Sequence, residues 1–237
     1  MMVCVQNEPA EHASNRDLFI PAWRRHTHGE QRWPGAVAVL CMIILQLFLP
    51  EQLSLGNRWL LPVTELLIIG VLIAAHPGEM ERRSVLLRRV GLGLISVASL
   101  GTAWAAGRLV FDIATGVNTG SAADLLMAGA DVWLINMLTF AVWYWELDRG
   151  GPLERALGTK QHTDFLFPQM STPDMAPKDW EPRFLDYLYL AFTNSTAFSP
   201  TDTLPLSRGA KAGMLLQSAI SLITAALVVA KAVNALQ

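Results

Sequence analysis

The chain has few charged residues and only two cysteines. Asp, Glu, Lys and Arg make up 16% of its 237 residues, whereas soluble domains usually carry about 25%. So small a charged fraction cannot cover a water-facing surface, which argues against an ordinary soluble domain. The net charge of −2 leaves no basic surplus for binding nucleic acid. Cys4 and Cys41 lie far apart, which indicates neither a disulfide framework nor a zinc site.

The sequence also lacks the short motifs that mark common enzymes and cofactor sites. It contains no Walker loop, no GxGxxG, no GxSxG and no HExxH. The five histidines show no metal-ligand spacing. No Ser or Thr is paired with a His or Lys in a recognisable nucleophile arrangement. We therefore expect no enzyme activity, no cofactor and no metal site.

Five apolar blocks dominate what the sequence does contain. A membrane helix needs about 20 mostly apolar residues. Five segments reach or approach that length: 33–50, 59–75, 90–111, 125–145 and 212–230. The pattern predicts an all-α fold, a polytopic transmembrane helical bundle of about five spans surrounded by a lipid bilayer. Small residues at four-residue spacing, such as Ser99, Ala103 and Gly107, are typical of helices that pack closely in lipid.

Positive residues alternate between the segments that connect these blocks. Thirteen Lys and Arg fall in the N-terminal tail and in the second and fourth connections, against Arg58 alone in the first and none in the third. Positive residues favour cytoplasmic loops, so we expect a multi-pass cell-membrane protein with a cytoplasmic N-terminus. The predicted regions are a cytoplasmic tail (1–32), four spans (33–145), a cytoplasmic loop (146–183) and a C-terminal region (184–237). Phe165, Leu166 and Phe167 are expected to lie against the membrane surface and partly order the loop.

Ionisable residues inside the predicted spans are candidate functional groups, because each costs roughly 2.5–3.5 kcal/mol at the centre of a membrane helix. Glu65 is the first candidate. It is either a proton or cation site facing a cavity, or a neutral carboxyl that is hydrogen-bonded inside the bundle. Asp124 and Asp131 share one helix face. Arg108 can pair with Asp112, four residues on, or across helices with either of those two aspartates.

The segment 193–207 is polar, although it lies between a short apolar stretch (184–192) and the full final block. Its candidate path residues are Thr193, Asn194, Ser195, Thr196, Ser199, Thr201 and Asp202. A half-length or re-entrant helix and a polar turn would place irregular backbone at membrane depth, which is tolerated only inside protein or along a wet cavity. The alternative is a capped surface loop, with Ser207 at the start of the final helix.

The stretch DYLYLAFTNSTAFSPTDTLPLS and the helix after it resemble the pore helix, filter and inner helix of the potassium-channel-type pore module. The matching features are the DYLY run at 186–189, then Thr196, Asp202 and Pro205. The resemblance implies that backbone carbonyls from Thr196 to Ser199 coordinate an ion. Where that family has Gly-aromatic-Gly, this chain has Ala, Phe and Ser. The C-terminal region also resembles small bacterial polytopic membrane proteins of unknown function.

These patterns together favour transport or channel-like conduction of a small ion across a bacterial inner membrane. A pore of channel type would need several copies of the chain, so a homo-oligomer is expected with it. The alternative is a non-transporting membrane scaffold whose cytoplasmic loop binds a soluble partner.

Overall fold

The fold consists of long helices joined by short turns and one pair of strands. The computed structural model describes residues 21–27, 29–75, 85–117, 121–160, 162–196 and 202–235. Its α-helices are α1 (Trp33–Phe48), α2 (Leu60–Ala75), α3 (Val85–Thr115), α4 (Ala122–Leu147), α5 (Pro152–Ala156), α6 (Pro168–Ser171), α7 (Phe184–Thr196) and α8 (Arg208–Ala235). Short helical turns cover Ala22–Arg24, Glu51–Leu53 and Asp148–Gly150. Strands β1 (Phe165–Leu166) and β2 (Leu204–Pro205) form one antiparallel pair.

Within the described residues, three helical stretches are long and apolar enough to cross a membrane: Arg88–Thr115, Ala122–Gly150 and Arg208–Lys231. Three of the five predicted blocks therefore form helices that could span a membrane. Helices α1 and α2 have 16 residues each, about 24 Å at 1.5 Å per residue. That length is short of the hydrocarbon thickness of a typical bilayer, about 30 Å. Five spans stay a prediction.

Helix α4 is the centre of the bundle and packs against α1, α3, α7 and α8. It begins at a capping box, in which the Ser121 hydroxyl accepts from the Asp124 amide (3.2 Å) and the Asp124 carboxylate accepts from the Ser121 amide (2.9 Å). At Gly129 the helix touches α8 so closely that an added Cβ would lie 2.8 Å from the Val228 methyls. This is the close small-residue packing typical of helices in lipid, but it lies elsewhere than expected, because Ala103 and Gly107 of α3 are exposed.

Helix α7 lies alongside α4 and runs in the opposite direction. At its start, Phe184 packs edge-on against Trp145, with ring centroids 5.6 Å apart. Near its end, the Ser195 carbonyl accepts a hydrogen bond from Trp133 Nε1 (3.3 Å). Trp145 and Trp133 are 12 positions apart on α4, so α7 follows that helix for about three turns.

Strand β2, which follows α7 in the chain, lies near the C-terminal end of α4, where α7 also begins. Strand β2 pairs with β1, and Phe165 of β1 packs against Tyr144 with ring centroids 5.0 Å apart. From this end α8 starts, with the Ser207 hydroxyl accepting from the Ala210 amide (3.1 Å). The cap on the final helix is therefore confirmed at Ser207.

The segment between α4 and α7 folds around Asp148, which is fully buried. Its carboxylate accepts hydrogen bonds from the Tyr187 hydroxyl (2.6 Å), the Asp164 amide (2.9 Å) and the Thr163 hydroxyl (3.1 Å). Arg149 lies 3.9 Å away as the paired charge. Burial raises the pKa of the Tyr187 hydroxyl well above its ordinary value, so this group remains a donor to Asp148.

Two aromatic residues of the same segment take a different position from the one expected. Phe165 and Phe167 are 1% and 3% exposed and belong to the main hydrophobic core. Phe167 packs on Tyr187 with ring centroids 5.3 Å apart. These side chains face the interior of the protein and not a membrane surface, because the segment supplies its own partners for them.

Replacing Tyr187 with Phe tests whether Asp148 organises this segment. The change removes the shortest hydrogen bond to a buried carboxylate, so we expect the free energy of unfolding in detergent to fall by about 1.5–3 kcal/mol. The matched control is Tyr189→Phe, because Tyr189 is 58% exposed on the same helix. Denaturant titration followed by tryptophan fluorescence measures both variants. Equal effects of the two changes would contradict the assigned role of Asp148.

Candidate ion site

Glu65 of α2 is fully buried and is held by a single side chain. Gln46 of α1 donates from Nε2 to the Glu65 Oε1 atom at 3.1 Å. The other carboxyl oxygen, Oε2, is buried and has no hydrogen-bond partner among the residues described. The amide oxygen of Gln46, which is 8% exposed, is also buried and without a partner there. Two unsatisfied acceptor atoms therefore sit on two side chains that already touch.

A narrow cleft beside the segment that joins α1 to α2 reaches Gln46. It holds about 20 Å³ and is lined by Gln46, Thr102, Ile135, Arg58 and nearby residues. A cavity needs roughly 10–15 Å³ to hold one water molecule. The cleft thus has room for water or a small ion, and none for an organic substrate. Glu65 is not among its lining residues, whereas Gln46, its hydrogen-bond partner, is.

The mouth of the cleft carries one basic group. Arg58 donates from Nη2 to the Leu47 carbonyl (2.9 Å), which is one of the last carbonyls of α1. Its Nη1 atom lies 3.9 Å from the Glu51 carboxylate. Both contacts hold the guanidinium at the C-terminal end of α1, where a positive charge is favoured.

The other charged candidates lie apart from Glu65. Arg108 pairs with Asp112 within α3 at 3.2 Å, so the intrahelical alternative is the one observed. Asp124 is exposed and caps α4. Asp131 is half-buried, with no hydrogen bond or ion pair found to the part of the chain that is described. In that part, no three His, Cys, Asp or Glu are grouped to hold a metal ion.

A second polar cluster joins α7 to α8 around Gln217, which is fully buried. Its Nε2 donates to the Ser195 hydroxyl (2.7 Å) and to the Ala191 carbonyl (2.8 Å). Its Oε1 accepts from the Tyr144 hydroxyl (2.6 Å) and from Asn194 Nδ2 (2.8 Å). One amide side chain therefore ties three helices together. Both of its polar atoms are satisfied.

The Gln217 cluster continues one turn along α8. Asn136 of α4 donates to the Ser221 hydroxyl (2.9 Å) and to the Gln217 carbonyl (3.2 Å). The Ser218 hydroxyl donates to the Asn194 side chain (3.0 Å). The Asn136 bonds hold α4 against the final helix, and the Ser218 bond holds the far end of α7 against it.

The remaining residues of the predicted polar path divide into three groups. Thr193 and Thr196 donate back to carbonyls of their own helix, at 3.0 Å and 2.8 Å. Asp202 is exposed. Ser199 and Thr201, with the Ala and Phe of the expected filter, lie outside the described residues. The structure thus joins Asn194 and Ser195 to one network, and this network is separate from Glu65.

Sequence reasoning missed Gln46 and Gln217, the residues that hold the two clusters. Each is an amide within a mostly apolar stretch of helix. Gln217, Ser221 and Thr224 follow the i, i+4, i+7 pattern of one helix face. Gln46 is the one polar side chain of α1 between Trp33 and Phe48. A charged residue in an apolar block marks a candidate functional group, and the same reasoning applies to an amide in such a block.

Comparison with protein-family models, with curated proteins and with solved structures finds no match to this chain. Its function is therefore inferred from the geometry of its own residues.

Changing Gln217 to Leu tests whether this cluster fixes α7. The substitution removes the hydrogen-bond partner of the Tyr144 and Ser195 hydroxyls, so we expect a loss of at least about 2 kcal/mol in the free energy of unfolding. The matched control is Gln52→Leu at an exposed position of the segment after α1, which should change stability little. Limited proteolysis near 197–203 should also speed up in Gln217→Leu. Unchanged stability and unchanged cleavage would refute the role of the cluster.

Proposed function

We propose that this protein is a multi-pass membrane protein that moves a small ion across the membrane, with Glu65 as the ion-binding group. The observation that carries the proposal is the placement of Glu65. It is a carboxyl fully enclosed by the bundle, with one oxygen unpartnered among the described residues, a single side chain away from a water-sized cleft.

If the Glu65–Gln46 contact were purely structural, two buried acceptor atoms would remain without hydrogen-bond donors. A buried acceptor with no donor costs about 1–3 kcal/mol, and here the carboxyl and the amide each leave one. Apolar residues at both positions would pack α1 on α2 without that cost. The unsatisfied atoms are explained if a ligand that supplies positive charge or a donor completes the pair during function.

The size of the cleft supports the class of ligand. About 20 Å³ admits a water molecule or a bare small cation. Both unpartnered atoms are oxygens, the ligand atoms that hard cations prefer. Intramembrane carboxyls are costly and mark ion and proton pathways in many membrane proteins. These points favour transport of a small ion over binding of an organic molecule.

The membrane topology and the assembly of the chain are part of the same proposal. Five spans, a cytoplasmic N-terminus and a re-entrant α7 agree with the charge alternation of the sequence and with the return of the chain from α7 to β2. Assembly of several copies around an axis is part of the channel-like version of the proposal, in which 193–202 lines the path.

Ion flux into liposomes tests the function. We expect purified protein to carry H⁺, Na⁺ or K⁺ down an imposed gradient, measured with ion-sensitive dyes, and Glu65→Gln to reduce the flux to that of protein-free liposomes. The substitution keeps the size of the side chain and an oxygen for the Gln46 contact, but it removes the charge.

The control is Asp174→Asn, the same carboxyl-to-amide change at an exposed loop position, and it should transport like the wild type. Size-exclusion profiles and circular dichroism establish that each variant is folded. No flux of any of the three ions, or equal flux in Glu65→Gln and the wild type, would overturn the proposal.

The alternative function is a non-transporting scaffold. It is favoured by one observation: the segment 148–183 is a folded unit around Asp148 that presents an exposed loop at 171–175. If the protein is inert in liposomes, a soluble partner that binds wild-type protein and loses binding on replacement of 171–175 would support this function instead.

A further inference from the structure

The two unpartnered atoms of the Glu65–Gln46 contact are both acceptors. Gln46 Nε2 already donates to one carboxyl oxygen, at 3.1 Å. The remaining atoms, Glu65 Oε2 and Gln46 Oε1, belong to the same two planar groups. An ionised carboxylate can only accept hydrogen bonds, whereas a protonated carboxyl also donates one. A single proton on Glu65 therefore supplies the donor that the amide oxygen lacks.

In the part of the chain that the structure describes, no positive side chain forms an ion pair with Glu65. Helix α1 has no charged residue, and Glu65 is the one charged residue of α2. Leu61 contacts Gly101, so Glu65, one turn on, lies opposite Ala98 in the antiparallel α3. The charged residues of that helix (Arg88, Arg89, Arg108 and Asp112) lie nine or more positions from Ala98.

The charged residues of the connecting segment are engaged elsewhere. Arg58 bonds the end of α1 and faces Glu51, and no ion pair with Glu65 is found among the described residues. A buried charge without a counter-charge is strongly disfavoured, and such a group neutralises by taking up a proton.

We propose that Glu65 holds a proton and shares it with the Gln46 amide oxygen, so that the ion moved by this protein is H⁺. The protonated acid and the amide form a reciprocal pair: Gln46 N–H donates to Glu65 Oε1, and Glu65 O–H donates to Gln46 Oε1. The inference rests on the proposed transport function for its role, but the protonation itself does not depend on it.

The proton exchange balances with water alone. A hydronium ion in the cleft gives H⁺ to the Glu65 carboxylate, an O–H bond forms on Oε2, and one water molecule remains. Release is the reverse step. Gln46 is a positioning residue for this exchange, because it lines the cleft and also holds Glu65. Rotation of its amide opens the carboxyl to cleft water or closes it.

Infrared spectroscopy of the full chain in lipid tests the pair directly. With glutamate labelled by ¹³C at the side-chain carboxyl, we expect a protonated C=O band at neutral pH that is absent in Glu65→Gln. In Gln46→Leu the band should move to higher frequency, since a carboxyl that has lost its hydrogen bonds has a stiffer C=O. Asp131→Asn is the control and should leave the labelled band unchanged.

Three results with the labelled protein and its variants would each overturn the inference, and a fourth comes from a change of salt. They are the absence of a protonated glutamate band, a band that survives in Glu65→Gln, and a band that Gln46→Leu does not move. Replacing choline chloride with sodium chloride must also leave the band in place, because its loss would show that Na⁺ displaces the proton. If Glu65→Gln does not fold, the shift in Gln46→Leu and the sodium test still decide the question.

The outcome separates this inference from the proposed function. A band that responds to Gln46→Leu in a protein without ion flux would keep the acid–amide pair and reject transport. Flux that depends on Glu65, in a protein whose Glu65 is ionised or binds Na⁺, would keep transport and reject the proton.

Discussion

Hydrogen bonding between polar side chains of different helices is the constraint on which the bundle depends. A lipid bilayer offers no donor or acceptor, so each amide and hydroxyl on an apolar helix must find its partner inside the protein. Gln217 shows how this constraint sets the packing: its two polar atoms bind groups on α4 and α7, and α7 is therefore fixed against α8. Asp148 does the same for the segment outside the helices, by gathering Tyr187, Thr163 and the backbone of Asp164.

Against that background the Glu65–Gln46 contact is the exception. The Gln217 cluster is nearly complete, although Asn136 Oδ1 and Thr224 Oγ1 at its edge lack partners among the residues described. The Glu65–Gln46 pair makes one hydrogen bond, leaves two acceptors open and adjoins the cleft. A network with every central bond made rigidifies the structure, whereas the Glu65–Gln46 pair still has two acceptor atoms that a donor or a cation could engage. The first cluster therefore serves as scaffold, and the second is the site where we place function.

The sequence was informative about helices and local spacing, and less so about contacts between distant residues. The predicted blocks 90–111, 125–145 and 212–230 lie inside α3, α4 and α8, because long apolar runs have few other solutions. The four-residue spacing of Arg108 and Asp112 foretold their ion pair. In contrast, the partner of Gln217 lies more than 20 positions away on α7, and Gln46 meets Glu65 across the 51–58 segment. Such pairs depend on how each helix is rotated about its own axis. An apolar block without a strong periodicity does not specify that rotation. The burial of Phe165 and Phe167 is hidden from the sequence for a related reason: the sequence does not show that Asp148 folds their segment back on the bundle.

The central claim is that Glu65 lies in the protein interior and that water reaches it through the cleft. The most direct measurement uses single cysteines in a chain whose Cys4 and Cys41 are replaced, treated with a membrane-impermeant thiol reagent in vesicles of either orientation. Leu61 lines the cleft, whereas Leu67 on the same helix is 64% exposed on the outer face of the bundle. The account predicts that Leu61→Cys reacts from one side of the membrane and that Leu67→Cys, facing lipid, does not react. An inert Leu61→Cys together with a reactive Leu67→Cys would contradict it.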